Sequence, residues 1–255
     1  MSFASLSIKD LGASYGTQRI LKNLSLTLEN DPALVITGPS GCGKSTLLKI
    51  CAGILPCTEG NVTLSMPDGK RPHAAMVPQG GVLMPWKNVY DNLALPLKIQ
   101  KSDHREDKIV RMLAELELTG LEKRFPHELS GGQRQRLCLG QALIGDPEIL
   151  FLDEPFSACD TMLKEKLQLF LKKLLKKRSC LLLVVTHDLN EAIFLAPKIL
   201  ILGSAGSGKY LLHRNHAFTD DLTRHIREEA LFALEAGTLH RLLRQMRPTE
   251  EADAL

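Results

Sequence analysis

Gly38 to Ser45 read GPSGCGKS, the G-x-x-x-x-G-K-S spacing that lets a backbone wrap a phosphate group. Phosphate oxygens need several close backbone N–H donors, and side chains at Gly38, Gly41 and Gly43 would block that approach. Pro39, Ser40 and Cys42 complete the loop, and Thr46 opens a helix whose positive end faces the anion. Lys44 is spaced to reach the β and γ phosphates of a nucleotide, and Ser45 to ligate Mg²⁺.

A second segment, FLDEP from Phe151 to Pro155, closes an apolar run with two adjacent carboxylates. Asp153 is suited to hold a Mg²⁺ shell and Glu154 to polarise an attacking water. GSAGSGKY, Gly203 to Tyr210, imitates the phosphate loop but ends in Tyr210, which cannot replace a small metal-binding hydroxyl. A hairpin turn between KILIL and YLLH accounts for it.

LSGGQ, Leu129 to Gln133, poses a different problem. Ser130 and Gln133 form a capping-box pattern, so the segment suits a helix start. Gly131 and Gly132 are costly there unless something must come close, and a helix N-terminus flanked by glycines suits an anion. Nothing in the chain's own phosphate loop leaves this second site unmet. In this order, the three segments resemble one family, the ATP-binding cassette (ABC) ATPases, over most of the chain, from about residue 6 to about 213.

The resemblance implies an α/β fold: a P-loop NTPase (RecA-like) core, an antiparallel β subdomain and an inserted helical subdomain. It implies ATP and Mg²⁺ as cofactors, and a head-to-tail homodimer in which Ser130, Gly131, Gly132 and Gln133 contact the γ phosphate held by the other copy. Gln79, in VPQG, looks like the family's glutamine that senses Mg²⁺ and the attacking water. His187, in VVTHD, resembles the histidine that contacts the γ phosphate, and Tyr15, in ASYG, the aromatic that stacks on adenine. Gln79, Lys44, Glu154 and His187 thus form the expected catalytic set, with Ser45, Gln79 and Asp153 around the metal. SACD, Ser157 to Asp160, resembles the loop that communicates between subunits, with Cys159 where leucine is usual. Pro197 stands where such cassettes often have aspartate.

MPWKNVYDNL, Met84 to Leu93, is similar to a segment of cassettes that drive import of nitrate, sulfonates and taurine. Trp86, the only tryptophan, is either a core residue or, with Met84 and Pro85, the flank of a groove for a short helix of a membrane subunit. The implied protein is the ATPase of an importer, peripheral to the cytoplasmic face of the inner membrane. Its partners would be transmembrane permease subunits and a solute-binding protein. The ATPase of an exporter or lipid-transport system stays open as an alternative. A soluble ABC protein acting on DNA or ribosomes would be expected to carry paired cassettes or a long coiled coil. No asparagine precedes a lysine, so an N-K-x-D guanine motif is lacking.

The elements that must position these residues are legible in outline. ALVIT (33–37), EILFLD (148–153), CLLLVVT (180–186) and KILIL (198–202) are continuous apolar runs, as in central strands covered on both faces. LSLTL (24–28) alternates like a strand with one wet face, and Leu6 to Ile8 begins similarly. Asp160 caps a helix whose Leu163, Leu167, Phe170, Leu171, Leu174 and Leu175 share a face. From Gln79 to Gln141 helices and loops replace strands, with 104–118 the most periodic segment.

The expected division is an ATPase domain at 1–215, its helical insert at about 80–141, and a helical tail at 216–255 with a helix near 220–246. The 255 residues, 44% hydrophobic and 24% charged, suit one core with an inserted lobe. A net charge of +3 is too small for nucleic-acid binding driven by phosphate neutralisation, and the basic run Lys172 to Arg178 reads as a solvated helix face. Six scattered cysteines without a C-x-x-C pair suggest buried thiols in a reducing compartment. The N-terminus lacks the pattern of a signal peptide, and no apolar run approaches the ~20 residues of a membrane span.

Overall fold

The computed structural model describes residues 3–157, 159–221 and 226–246. The parts of the tail at 222–225 and 247–255, and Ala158 within SACD, lie outside the described residues.

Two sheets share the chain. Strands β1 (Ser5–Tyr15), β2 (Gln18–Leu28) and β4 (Glu59–Ser65) form an antiparallel sheet in the order β2-β1-β4. A six-stranded sheet takes β3 (Ala33–Thr37), β5 (Ala74–Val77), β6 (Ile149–Asp153), β7 (Leu181–Val185), β8 (Lys198–Leu202) and β9 (Tyr210–Arg214) in the order β5-β6-β7-β3-β8-β9. All its pairings are parallel except β8 with β9, the hairpin whose turn is the imitation loop at 203–209.

The helices are α1 (Lys44–Cys51), α2 (Val89–Ile99), α3 (Arg105–Glu115), α4 (Gly131–Leu143), α5 (Thr161–Lys176), α6 (Leu189–Leu195) and α7 (Ala230–Gln245), with short 3-10 turns at Pro126–Glu128 and Ile226–Glu228. Between β5 and β6 the chain forms only helices, turns and loops. Among the described residues no helix is long and apolar enough to cross a membrane.

Every residue of β3, β6 and β7 is buried, which is why these strands read as unbroken apolar runs. Each fully buried Val, Leu or Ile contributes roughly 1.5–3 kcal/mol, so the strand ends that carry the polar motifs are rigidly placed. One core lies between this sheet, α1 and the antiparallel sheet; the other joins the opposite face to α2–α7.

Several sequence expectations change here. The helix after the phosphate loop begins at Lys44 rather than Thr46, and the tail helix begins at Ala230 rather than near 220. Two strands escape the sequence pattern, β4 because most of its residues are polar and β5 because it is only four residues long. The basic run is not uniformly solvated. Lys172 donates to Phe194 O and Thr219 O and lies over the rings of Phe194 and Phe218, and burial lowers its ammonium to about 8. The segment after β9 covers α5 at that point, a long-range contact that no local pattern encodes. All six cysteines are free thiols; Cys42, Cys51, Cys138 and Cys180 are buried, Cys57 and Cys159 partly so.

Candidate functional site

The polar motifs converge because they follow adjacent parallel strands. In the order β6-β7-β3, Asp153 and Glu154 end β6, Thr186 and His187 follow β7, and the loop 38–43 follows β3. Carboxyl ends of neighbouring parallel strands are where such sheets bind ligands.

The loop itself is held by sterics. A Cβ on Gly43, where φ is +101°, would lie 2.6 Å from Cγ2 of Ile20 on β2. One on Gly38 would lie 2.6 Å from the carbonyl of Leu202. The cradle therefore tolerates only glycine at these positions. Lys44 is buried, and its ammonium donates to the carbonyls of Gly38 at 3.0 Å and Pro39 at 2.8 Å. These are neutral partners, so an incoming anion offers the cation a stronger one.

Ser45 Oγ donates to Asp153 Oδ1 at 2.8 Å. A hydroxyl and a carboxylate side by side form the oxygen donor set of a hard cation such as Mg²⁺. Glu154 adopts φ +46°, the left-handed region that non-glycine residues enter at a cost of roughly 1–3 kcal/mol. Its N–H donates to Val185 O at 2.9 Å, which helps fix that turn. The carboxylate meets two side chains: Gln79 Nε2 at 3.5 Å from Oε2, and His187 Nδ1 at 3.3 Å from Oε1. Gln79, Glu154 and His187 thus gather around one carboxyl group, and Lys44, Ser45 and Asp153 around the loop.

Two sets of expected residues stand apart from this cluster. Tyr15 ends β1 with its ring more than half exposed; the same hairpin brings Ile20 and Leu21 against Gly43. Ser130 and Gln133 bond to each other. Ser130 N–H donates to Gln133 Oε1 at 2.9 Å, and Gln133 N–H to Ser130 Oγ at 3.3 Å, a complete capping box for α4. The two glycines between them have different surroundings. A Cβ on Gly132 would lie 2.8 Å from Leu163 Cδ1, so a larger residue there requires that leucine tip to shift. A Cβ on Gly131 would meet nothing within 4 Å.

Sequence reasoning missed Thr186 and Gln135. Buried Thr186 donates from Oγ1 to Glu191 Oε2 at 3.1 Å and accepts from the N–H of Asp188, bracing the turn that carries His187. Asp188 caps α6 and pairs with Lys164 at 2.8 Å. Burial works against its charge, but the Lys164 bond and two helix N–H donors outweigh that and hold its carboxyl below the ordinary range. Gln135 Nε2 donates to Pro155 O at 2.6 Å, tying α4 to the backbone beside Glu154. The T-H-D and S-G-G-Q-R-Q strings contain these residues, but nothing in a lone Thr or Gln marks a brace.

A groove of about 320 Å³ opens beside Pro78, between β5, α2 and α4, lined by Met76, Val82, Met84, Pro96, Ile99 and Cys138. Buried Asn92 holds its rim: Oδ1 accepts from Met84 N–H at 2.8 Å, and Nδ2 donates to Lys87 O at 2.9 Å. Trp86 is 71% exposed, which overturns the core reading of that residue. Of the three residues expected to flank the groove, Met84 lines it, while Pro85 and Trp86 project to solvent outside its lining.

With this geometry in view, comparisons with known proteins agree in kind. The family model described as "ABC transporter" matches residues 21–157. The taurine import ATP-binding protein TauB of Escherichia coli (strain K12) is 40% identical over 213 residues, covering 81% of this chain and 82% of the relative. The TauB protein of Shigella dysenteriae serotype 1 (strain Sd197) gives the same figures. An ABC transporter solved in an inward-facing conformation superposes with a TM-score of 0.72 at 26% identity, over 83% of this chain and 84% of that one. A dimeric ATP-binding cassette in a post-hydrolysis state, bound to ADP and Pi, gives 0.69 at 29% identity, over 83% and 99%.

Proposed function

Because this chain belongs to the ABC transporter family, we propose that it is the ATP-hydrolysing subunit of an importer for a small solute. It binds ATP and is an ATPase; the open matters are how its residues work and what it drives. The observation that carries the reading is the convergence of Gln79 and His187 on Glu154, next to a glycine cradle and the Ser45–Asp153 pair.

Lys44 and the N–H groups of residues 38–45 would hold the phosphate chain, and Tyr15 would stack on adenine. Ser45 and Asp153, with Gln79, would hold Mg²⁺, which when bound neutralises charge on the β and γ phosphates. Glu154 orients and polarises the attacking water. His187 and Gln79, each within 3.5 Å of that carboxylate, fix its direction and report on the phosphate beside it. Catalysis of this kind is mainly positioning and charge stabilisation.

Among the described residues, Ser130, Gly131 and Gln133 make no polar contact with the chain's own phosphate loop, and nothing crowds the position of a Cβ on Gly131. A second copy supplying the phosphate accounts for both facts. The functional unit is then a dimer joined to transmembrane permease subunits. The groove at Met84 would receive a short apolar segment of the permease, and Trp86 would lie at the contact. The TauB likeness favours import over export, and with it a solute-binding protein outside and a place at the cytoplasmic membrane face; the solute would be taurine or a similar sulfonate.

Light scattering on the Glu154→Gln variant tests the reading. Added MgATP should convert monomer to a stable dimer without turnover. Unchanged hydrolysis by this variant, or a monomer at saturating MgATP, would reject it.

A further inference from the structure

Away from the nucleotide site, α5, the start of α6, the 3-10 turn Ile226–Glu228 and α7 border a polar cleft of about 340 Å³. Its walls carry Lys164 and Gln168 of α5, Asp188 and Glu191 beside α6, Arg227 of the second 3-10 turn and Phe232 of α7. Gln168 is 1% exposed and Glu191 3%. Three polar atoms in these walls are buried without a hydrogen-bond partner: Gln168 Nε2, Glu191 Oε1 and Arg227 Nε. A buried unpaired group costs about 1–3 kcal/mol and is rare, so three in one cleft point to a function there.

The remaining atoms of the same side chains are engaged, which fixes their positions. Gln168 Oε1 accepts from Arg227 Nη2, Arg227 Nη1 lies 3.1 Å from Glu165 Oε1, and Glu191 Oε2 accepts from Thr186. Two donors and one acceptor are left over. The donors sit among the cations Lys164 and Arg227 and suit an anionic oxygen; the acceptor is a carboxylate and suits an ammonium. Glu165, Asp188 and Glu191 offset the two cations, so a polyphosphate would be repelled and a lone cation would leave both donors unmet. Phe232, Ala233 and Ala236 offer a short apolar side.

We propose that this cleft is a second ligand site, distinct from the nucleotide site, for a small zwitterion with its anionic end at Gln168 and Arg227 and its ammonium at Glu191. Burial pushes the Glu191 carboxyl up to about 7, with the nearby carboxylates of Asp188 and Glu154 adding to the shift and the Thr186 hydrogen bond and Lys164 opposing it. The other oxygen of Glu191 holds Thr186, next to His187, so a bound zwitterion reaches the carboxylate of Glu154 through two side chains.

The test is ligand-detected NMR on the full chain with MgATP bound, using β-alanine, propionate and propylammonium as probes. β-alanine should show saturation transfer, with either singly charged probe at least about tenfold weaker, the loss of one charge-assisted hydrogen bond. Gln168→Leu and Arg227→Leu should each abolish the β-alanine signal while MgATP still binds. If Arg227→Leu fails to bind MgATP, Gln168→Leu alone decides. No signal from β-alanine, an equal signal from propionate, or a signal that survives Gln168→Leu overturns the proposal. Because the readout needs neither hydrolysis nor transport, its failure leaves the importer reading untouched.

Discussion

Nδ1 of His187 stands 3.3 Å from Oε1 of Glu154, so the second residue after β7 meets the carboxyl group of the first residue after β6. The left-handed backbone at Glu154 turns its side chain away from the strand direction, and the Thr186–Glu191 bond braces the opposite partner. The pair is therefore held from both sides.

Removing the carboxylate of Glu154 should separate binding from chemistry, as its proposed role requires. Glu154→Gln is expected to keep ATP affinity within a few-fold and to lower turnover by roughly 10²–10⁴-fold. His187→Ala should lower turnover as well, with nucleotide affinity retained. Single-turnover hydrolysis beside equilibrium binding of a fluorescent nucleotide measures both quantities.

Gly131→Ala distinguishes the needs of the protomer from those of the dimer. The added Cβ meets nothing within 4 Å, and alanine favours helix over glycine by roughly 0.5–1 kcal/mol, so the variant should be at least as stable in urea. ATP hydrolysis should nonetheless fall steeply. Wild-type turnover in this variant would mean that no phosphate approaches Gly131.

Gly43→Ala should do the reverse. Positive φ and the 2.6 Å approach to Ile20 are expected to destabilise the fold by about 1–3 kcal/mol and to abolish nucleotide binding. Chemical denaturation gives the first effect and calorimetry with ATP the second.

The Glu191 carboxyl, raised by burial from 4.5 to about 7, makes stability depend on pH. Between those values the folded chain keeps a proton that the unfolded chain loses, so stability is full below 4.5 and declines as pH rises through 7. Above that window the buried charge costs on the order of 3 kcal/mol. Glu191→Gln can still accept from Thr186, and should be the more stable protein at about pH 8 and equal to wild type at about pH 4, below both values. The same difference in urea midpoint between variant and wild type at both pH values would sink the assignment.

Trp86→Ala removes a side chain that the protomer does not bury. Thermal stability and the basal ATPase rate should be unchanged, while co-purification with the membrane subunits is lost.

Glycine spacing and apolar runs revealed the phosphate loop, the acidic strand end and four of the six strands of the larger sheet, because each is a local pattern. YLLH at β9 also showed itself, as the return arm of a hairpin. The edge strands β4 and β5 gave no such sign: Glu59 to Ser65 has only two apolar residues, and Ala74 to Val77 is too short to show a period. Lys172 likewise read as solvated, since the aromatic rings and carbonyls that surround it come from Phe194 and the 218–219 segment.

The sequence by itself determined the chemistry, for a G-x-x-x-x-G-K-S loop, a D-E pair at a strand end and LSGGQ have meaning through their own backbone and side chains. Tertiary structure alone decided which residues share a carboxyl group, which glycine of LSGGQ is crowded by Leu163 and which stands in open space, and where polar atoms are left without partners. Contacts between segments distant in the chain depend on how strands order within a sheet and how helices pack across it, and the periodicity of one segment carries no information about the neighbour it will meet.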